Sequence, residues 1–339
     1  MTTHETELCE RVDLCTPDGA RLNPHANGWS RRPLHRANLD GCFGLNKRWD
    51  YWAILAGDLV VSSVYSNTDR LGIANVYWVD LVTGEEGGRF VGVRGGEGID
   101  LPELPGTAPL RVNRDGLDLA IVDTDIGTRL TASWTERDGR ASSLRVMVEL
   151  PSGHESLNVV IPWSDELFNF TSKHQARPAR GQLIVGDRHF SIGRDSWGVL
   201  DVGRGRWPSE ITWNWGGGAG RSGRHVVGIQ IGAKWTEGTG FTENGVIVDG
   251  RLSKIGNELH WDYDWDQPMR PWHVEDPGGQ LDITLTPRFD KHSKIAGHKR
   301  GSETHQVFGT WSGRVRTDDG VEVTLDKIQG FAEEARQRW

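Results

Sequence analysis

Two carboxylates in this 339-residue chain sit among aromatic residues. Asp50 lies in NKRWDYW with Lys47, Trp49, Tyr51 and Trp52, and Glu243 lies in WTEGTGFTENG with Trp235, Phe241 and Asn244. A carboxyl desolvated by aromatic walls keeps its proton to higher pH, which suits it to general-acid work near neutrality. Beside arginine the same group stays ionised and serves as a structural clamp. The segment LDVGRGRW adds Asp201 near Arg204 and Arg206, and the sequence alone does not decide between the two behaviours. The residue types point to proton transfer, with Asp50 and Glu243 as the candidate catalytic acids.

The chain has sixteen tryptophans, several at strand spacing. Alternation sends Trp213 and Trp215 to one side of a strand and Asn214 to the other. Trp49, Trp52, Tyr65, Trp213, Trp215 and Trp235 are the candidate walls of a ligand cavity. Indole faces there would stabilise a developing cation by roughly 0.5–2 kcal/mol each. Lys47, Arg204, Asn214 and Asn244 are the candidate groups for a ligand's polar ends.

Other chemistries lack their signatures. A G-x-G-x-x-G occurs at Gly218, Gly220 and Gly223, but a dinucleotide fingerprint needs a helix after the glycines. Here RHVVGIQIGAKW follows, an alternating strand pattern, so the glycine run is expected as a loop at a barrel mouth. WDYDWD (261–266) places three aspartates on one face, without the glycine and distal glutamate of a calcium loop. No H-E-x-x-H, Cys-x-x-Cys or G-x-S-x-G is present, so no metal, no cofactor and no Ser or Cys nucleophile are expected.

The elements that must position these residues are strands. Leu144, Val146, Val148 and Leu150 alternate with polar positions, as do Leu281, Ile283 and Leu285. Turn signals such as VDG (248–250) and DDG (318–320) separate the runs. FAEEARQRW at the C-terminus has helical composition, and TSKHQARPARG (171–181) that of a linker. A weak repeat aligns Asn75 and Asp80 with Asn244 and Asp249. The expectation is an all-β chain of two tandem antiparallel barrels with a short C-terminal helical segment. The expected division is an N-terminal extension over 1–30, a barrel over 31–178 and a second over 179–339. An eight-stranded barrel admits packed side chains or one small ligand.

A net charge of −8 argues against a nucleic-acid partner. Cys9, Cys15 and Cys42 make no disulfide framework. No run of about eighteen apolar residues and no secretory signal pattern is present, so a cytoplasmic protein without an integral membrane segment is expected. Composition does not fix an oligomeric state.

The blocks NPHANGWSRRPLH, NKRWDYWAI, IPWSDELFNFTSKHQARPARG, LDVGRGRWPSEITWNWGGGAG, GAKWTEGTGFTENGVIVDGRLSKI and VFGTWSGRV together resemble the domain of unknown function 2804 family, from about Asn23 to Trp339. A more distant similarity is to lipocalin-like, calycin-type two-barrel proteins, among them carotenoid 1,2-hydratases, tocopherol cyclases and AttH-like proteins. That resemblance implies a tandem-barrel fold and a hydrophobic small-molecule ligand of isoprenoid, lipid or polyketide-like character. It assigns no catalytic residue. The expectation is an aromatic-lined barrel cavity, with cofactor-free hydration, cyclisation or isomerisation of an alkene if the protein is an enzyme. A non-catalytic lipid carrier or sensor is the first alternative, and a carbohydrate-binding or glycoside-cleaving protein the second.

Overall fold

The computed structural model describes residues 3–295 and 301–338. Antiparallel strands make up almost all of its regular secondary structure, as the alternation requires. In Ala141–Glu149, for example, Leu144, Val146 and Val148 are buried and Arg145 is exposed.

The long strands form two sheets with one order used twice. The first runs Glu86–Arg94, Leu71–Asp80, Leu59–Asn67, Asn46–Ala56, Trp197–Arg206, Phe168–Val185, Ala141–Glu149, Gly127–Thr135, Leu117–Thr124 and Leu110–Arg114. The second runs Arg251–Ile255, Asn244–Val248, His225–Ala233, Glu210–Ser222, Glu322–Arg338, Gly301–Arg316, Leu281–Ile295, Trp272–Glu275 and His260–Asp262. In each, the first long strand of the unit pairs with its last. The weak repeat falls on matching strands: Asn75 Oδ1 accepts the Val64 N–H at 2.8 Å, and Asn244 Oδ1 the Gly232 N–H at 2.7 Å.

Each sheet curls into a near-barrel around its own apolar core. Trp52, Tyr65, Val76, Leu119, Leu144 and Leu183 belong to the first core, and Ile229, Trp272, Ile283, Val307 and Leu325 to the second. Aliphatic and aromatic side chains fill these interiors, as expected for barrels of this girth. A third apolar cluster, with Tyr51, Val199, Trp215, Phe308 and Phe331, joins the outer faces of the two sheets.

Three local expectations are corrected. FAEEARQR (331–338) is not a helix, because it forms the end of the Glu322–Arg338 strand, paired on both sides; Trp339 lies outside the described residues. Two full ladders of hydrogen bonds outweigh the weak helical preference of Ala, Glu and Gln. TSKHQARPARG lies within the Phe168–Val185 strand, where Thr171, Lys173, Gln175 and Arg177 are buried. The glycines at 216–218 and 220 lie in a strand rather than a loop. A Cβ at Gly217 would come within 2.7 Å of Phe331 and 2.8 Å of Gln175 Nε2, so glycine there permits close packing between the sheets.

Strand pairing passes from the first sheet to the second between Arg206 and Glu210, whereas 178/179 falls inside Phe168–Val185. The N-terminal segment is tied to both sheets. Trp29–Ser30 pairs with Leu157–Pro162, and Glu5 Oε1 meets Lys254 Nζ at 2.7 Å in a buried ion pair. No helix among the described residues is long and apolar enough to cross a membrane.

Candidate functional site

Alternation on two strands decides what faces the seam between the barrels. On Asn46–Ala56, Trp49 and Tyr51 turn toward the second sheet, while Trp52 enters the first core. On Glu210–Ser222, Trp213 and Trp215 turn back toward the first sheet. Between them lies a cavity of about 380 Å³, lined by residues of both sheets. This cavity therefore lies between the barrels and not inside either one, whose interiors are packed with apolar side chains.

Its walls are Trp49, Tyr51, Trp207, Trp213, Trp215 and Trp235. Trp207 and Trp235 stack at 5.3 Å with 9° between their planes, and Trp49 and Trp213 meet Trp207 edge-on. Such contacts hold the rings in fixed orientations.

Three carboxylates enter this apolar space, each bound to an indole N–H. Trp49 Nε1 donates to Asp201 Oδ2 at 3.1 Å, Trp213 Nε1 to Glu333 Oε1 at 2.8 Å, and Trp235 Nε1 to Glu243 Oε1 at 2.7 Å. Lys173 Nζ stands between two of them, 2.9 Å from Asp201 Oδ1 and 3.1 Å from Glu243 Oε2, the latter off the hydrogen-bonding direction. The same ammonium lies 4.4 Å from the centre of the Trp215 ring. Thr171 Oγ1 adds a bond of 3.3 Å to Asp201.

The electrostatics differ across the cavity. Burial opposes the charged form of Lys173, but Asp201 and Glu243 outweigh it and raise its pKa. Burial pushes the Glu243 carboxyl up, partly offset by Lys173. Glu333 has no cation within ion-pairing distance among the described residues, and burial pushes its pKa up to about 7 against the Trp213 N–H and the more distant Lys291. Burial also lowers Lys291, which lines the same cavity, to about 8. The arrangement thus sets a carboxyl that is protonated to near-neutral pH opposite a Lys–Asp–Glu cluster.

Two further groups are held open. Asn169 lines the cavity, is fully buried, and has neither its side-chain oxygen nor its nitrogen hydrogen-bonded. Trp207 Nε1 is likewise buried without a partner. Unpaired buried polar atoms cost free energy unless something else satisfies them.

Of the residues singled out from the sequence, Lys47, Trp49, Trp213, Trp215, Trp235 and Glu243 line the cavity. Asp50 does not, since it shares the inner face of its strand with Trp52. There its Oδ1 accepts from Arg204 Nη2 at 2.7 Å. Arg204 is fully buried and also donates to the Trp49 carbonyl. Tyr65 donates to the Arg111 carbonyl at 3.1 Å inside the first barrel. Asn214 donates to the Tyr263 hydroxyl at 2.9 Å on the inner side of the second barrel, and Asn244 bonds to backbone. Sequence reasoning missed Lys173, Asn169, Trp207, Lys291 and Glu333. A signal for Glu333 lies in the likeness of GVLDVGRGR (198–206) to GFAEEARQR (330–338), which sets Glu333 level with Asp201.

The domain of unknown function DUF2804 matches residues 5–339. The chain belongs to this family. No curated protein sequence matches it. Among solved structures, kievitone hydratase from Nectria haematococca is similar at 10% identity and a TM-score of 0.47, over 86% of this chain and 88% of that one. CghA with Sch210972 is similar at 10% identity and a TM-score of 0.42, over 89% and 90%. An AttH-like protein from Nitrosomonas europaea is similar at 12% identity and a TM-score of 0.43, over 86% and 92%.

Proposed function

We propose that the protein binds a hydrophobic small molecule in the seam cavity and performs cofactor-free acid/base chemistry on it: hydration, cyclisation or isomerisation of an alkene or polyene. The observation that carries this reading is Glu333, a buried carboxyl with a pKa near neutrality, facing the Lys173–Asp201–Glu243 cluster across walls of indole. Paired titratable groups in unlike surroundings divide into acid and base. Glu333 donates its proton to the π bond. Trp213 and Trp215 face the cation that forms, and Asp201, held by Lys173, accepts the proton released in the next step. Asn169 and Trp207 Nε1 bind the ligand's oxygen functions, which would give their unpaired atoms partners.

The test is incubation in D₂O with isoprenoid, unsaturated fatty-acyl and polyketide-type alkenes, followed by mass spectrometry. The proposal expects deuterium on carbon or a product shifted by the mass of water. Glu333→Gln should abolish this while ligand still quenches tryptophan fluorescence. Ligand retained without any exchange or product, by the wild type, would make the protein a carrier and end the enzymatic reading.

A further inference from the structure

The hairpin of Leu281–Ile295 and Gly301–Arg316 has two faces. Lys291, Ser293, Thr304 and Gln306 line the seam cavity. Alternation sends Asp290, His292, Glu303 and His305 to the opposite side, where Trp265 meets the His305 ring edge-on at 4.6 Å. His292 and His305 are direct cross-strand partners, with rings parallel and 4.2 Å apart. One donor atom from each of His292, Glu303 and His305 lies within 4.8 Å of the others.

The hydrogen bonds around these groups resemble those of a metal site. His292 Nε2 lies 3.0 Å from Glu303 Oε1. Two ligand atoms about 2.1 Å from a tetrahedral zinc ion stand roughly 3.4 Å apart, so the His292–Glu303 spacing needs only a small spreading, while the parallel imidazoles must rotate for both to point at one ion. Lys294 Nζ straddles the Glu303 carboxylate, donating to Oε1 at 3.1 Å and lying 3.0 Å from Oε2, so it fixes the carboxylate and must shift to Oε2 alone when Oε1 ligates an ion. His305 Nδ1 bonds to Asp290 Oδ2 at 2.7 Å, a carboxylate–histidine contact that directs Nε2 toward a ligand position. Asp290 Oδ1 is buried and lacks a hydrogen-bond partner. His292 is part-exposed, so an ion can reach the site from solvent.

We propose that His292, Glu303 and His305 bind a late first-row divalent cation such as Zn²⁺, with Asp290 orienting His305 and water completing the coordination. Two imidazoles and one carboxylate suit this class of ion better than Mg²⁺ or Ca²⁺, which prefer all-oxygen shells. Bound there, the ion would clip together the two strands whose other face forms a wall of the cavity. The site is independent of the acid/base reading.

Tag-free protein would be titrated with Zn²⁺ against a chromophoric chelator, and with Co²⁺ by visible absorption. One ion per chain and the strong d–d bands of four-coordinate Co²⁺ are expected. His292→Ala and Glu303→Gln should each weaken binding, and Asp290→Asn should do so by at least about tenfold. Thermal melts of the metal-free variants show whether each still folds, and His292→Ala, at an exposed position, tests the site even if His305→Ala is unstable. Failure of the wild type to compete with the chelator at millimolar Zn²⁺, or unchanged binding in folded His292→Ala, overturns the assignment.

Discussion

Asp201 and Glu333 occupy the same register position in the two sheets. Asp201 lies opposite Tyr51 and Glu333 opposite Trp215, and each accepts from the indole two residues before that partner, Trp49 or Trp213. The next strand breaks the equivalence. Lys173 faces Asp201, whereas Gln306 faces Glu333. An ammonium on one side and an amide on the other give two matched carboxyls different partners. A repeated fold has thereby produced an asymmetric site.

Glu333→Gln should change the pH dependence of stability as well as turnover. The carboxyl is raised from 4.5 to about 7, so its neutral form contributes stability that is fully present below pH 4.5 and lost as pH rises through about 7. That loss amounts to roughly 3 kcal/mol, and the glutamine variant should lack it. Urea melts of both proteins at pH 4.5, 6 and 8 measure the difference. Parallel curves for variant and wild type would show that Glu333 titrates normally.

Much of this site follows from alternation along single strands. Trp213, Asn214 and Trp215 divide between seam and barrel interior as period two requires, and the same rule sets Asp50 apart from Trp49 and Tyr51. Local composition is a poorer guide to the rest. The segment around Lys173 resembles a linker because a strand buried between two sheets carries paired polar groups in place of aliphatics. Glu333 lies among helix-forming residues whose preference yields to pairing partners on both sides. His292 and His305 are thirteen residues apart, a spacing that means nothing until hairpin register makes them neighbours.

Lys173→Met removes the cation between Asp201 and Glu243. An uncompensated buried charge costs about 3–5 kcal/mol, so the variant should be strongly destabilised at neutral pH. The raised pKa of Lys173 means that the native ion pair persists throughout this range. Burial already raises the Glu243 carboxyl, which can take up a proton as pH falls, so the penalty should shrink in acid. Chemical denaturation at pH 7.5 and pH 5 measures the change.

Asp50→Asn separates clamp from catalyst. Burial raises the Asp50 carboxyl and Arg204 opposes that shift, with the guanidinium itself fully buried. Removing the counter-charge should cost about 3 kcal/mol in stability. Ligand affinity, followed by tryptophan quenching below the melting temperature, should stay unchanged because the pair faces the first barrel's interior. A selective loss of affinity without loss of stability would contradict that placement.

Gly203→Ala should close part of the cavity without touching any ionisable group. A Cβ at Gly203 would overlap the six-membered ring of Trp49, which lies directly over the glycine. Indole cannot bend, and its Nε1 is held by Asp201, so the added methyl must push the ring into the ligand space and strain the Trp49–Asp201 bond. Overpacking of this kind costs about 1–3 kcal/mol, and ligand affinity should fall with it. Trp49→Ala in the same chain removes the obstacle. The double variant should therefore be more stable than the sum of the single changes, by a coupling of at least about 0.5 kcal/mol. A double-mutant cycle from thermal or urea melts measures this coupling. Strict additivity would mean that the indole does not rest on Gly203, and this wall of the cavity would have to be drawn differently.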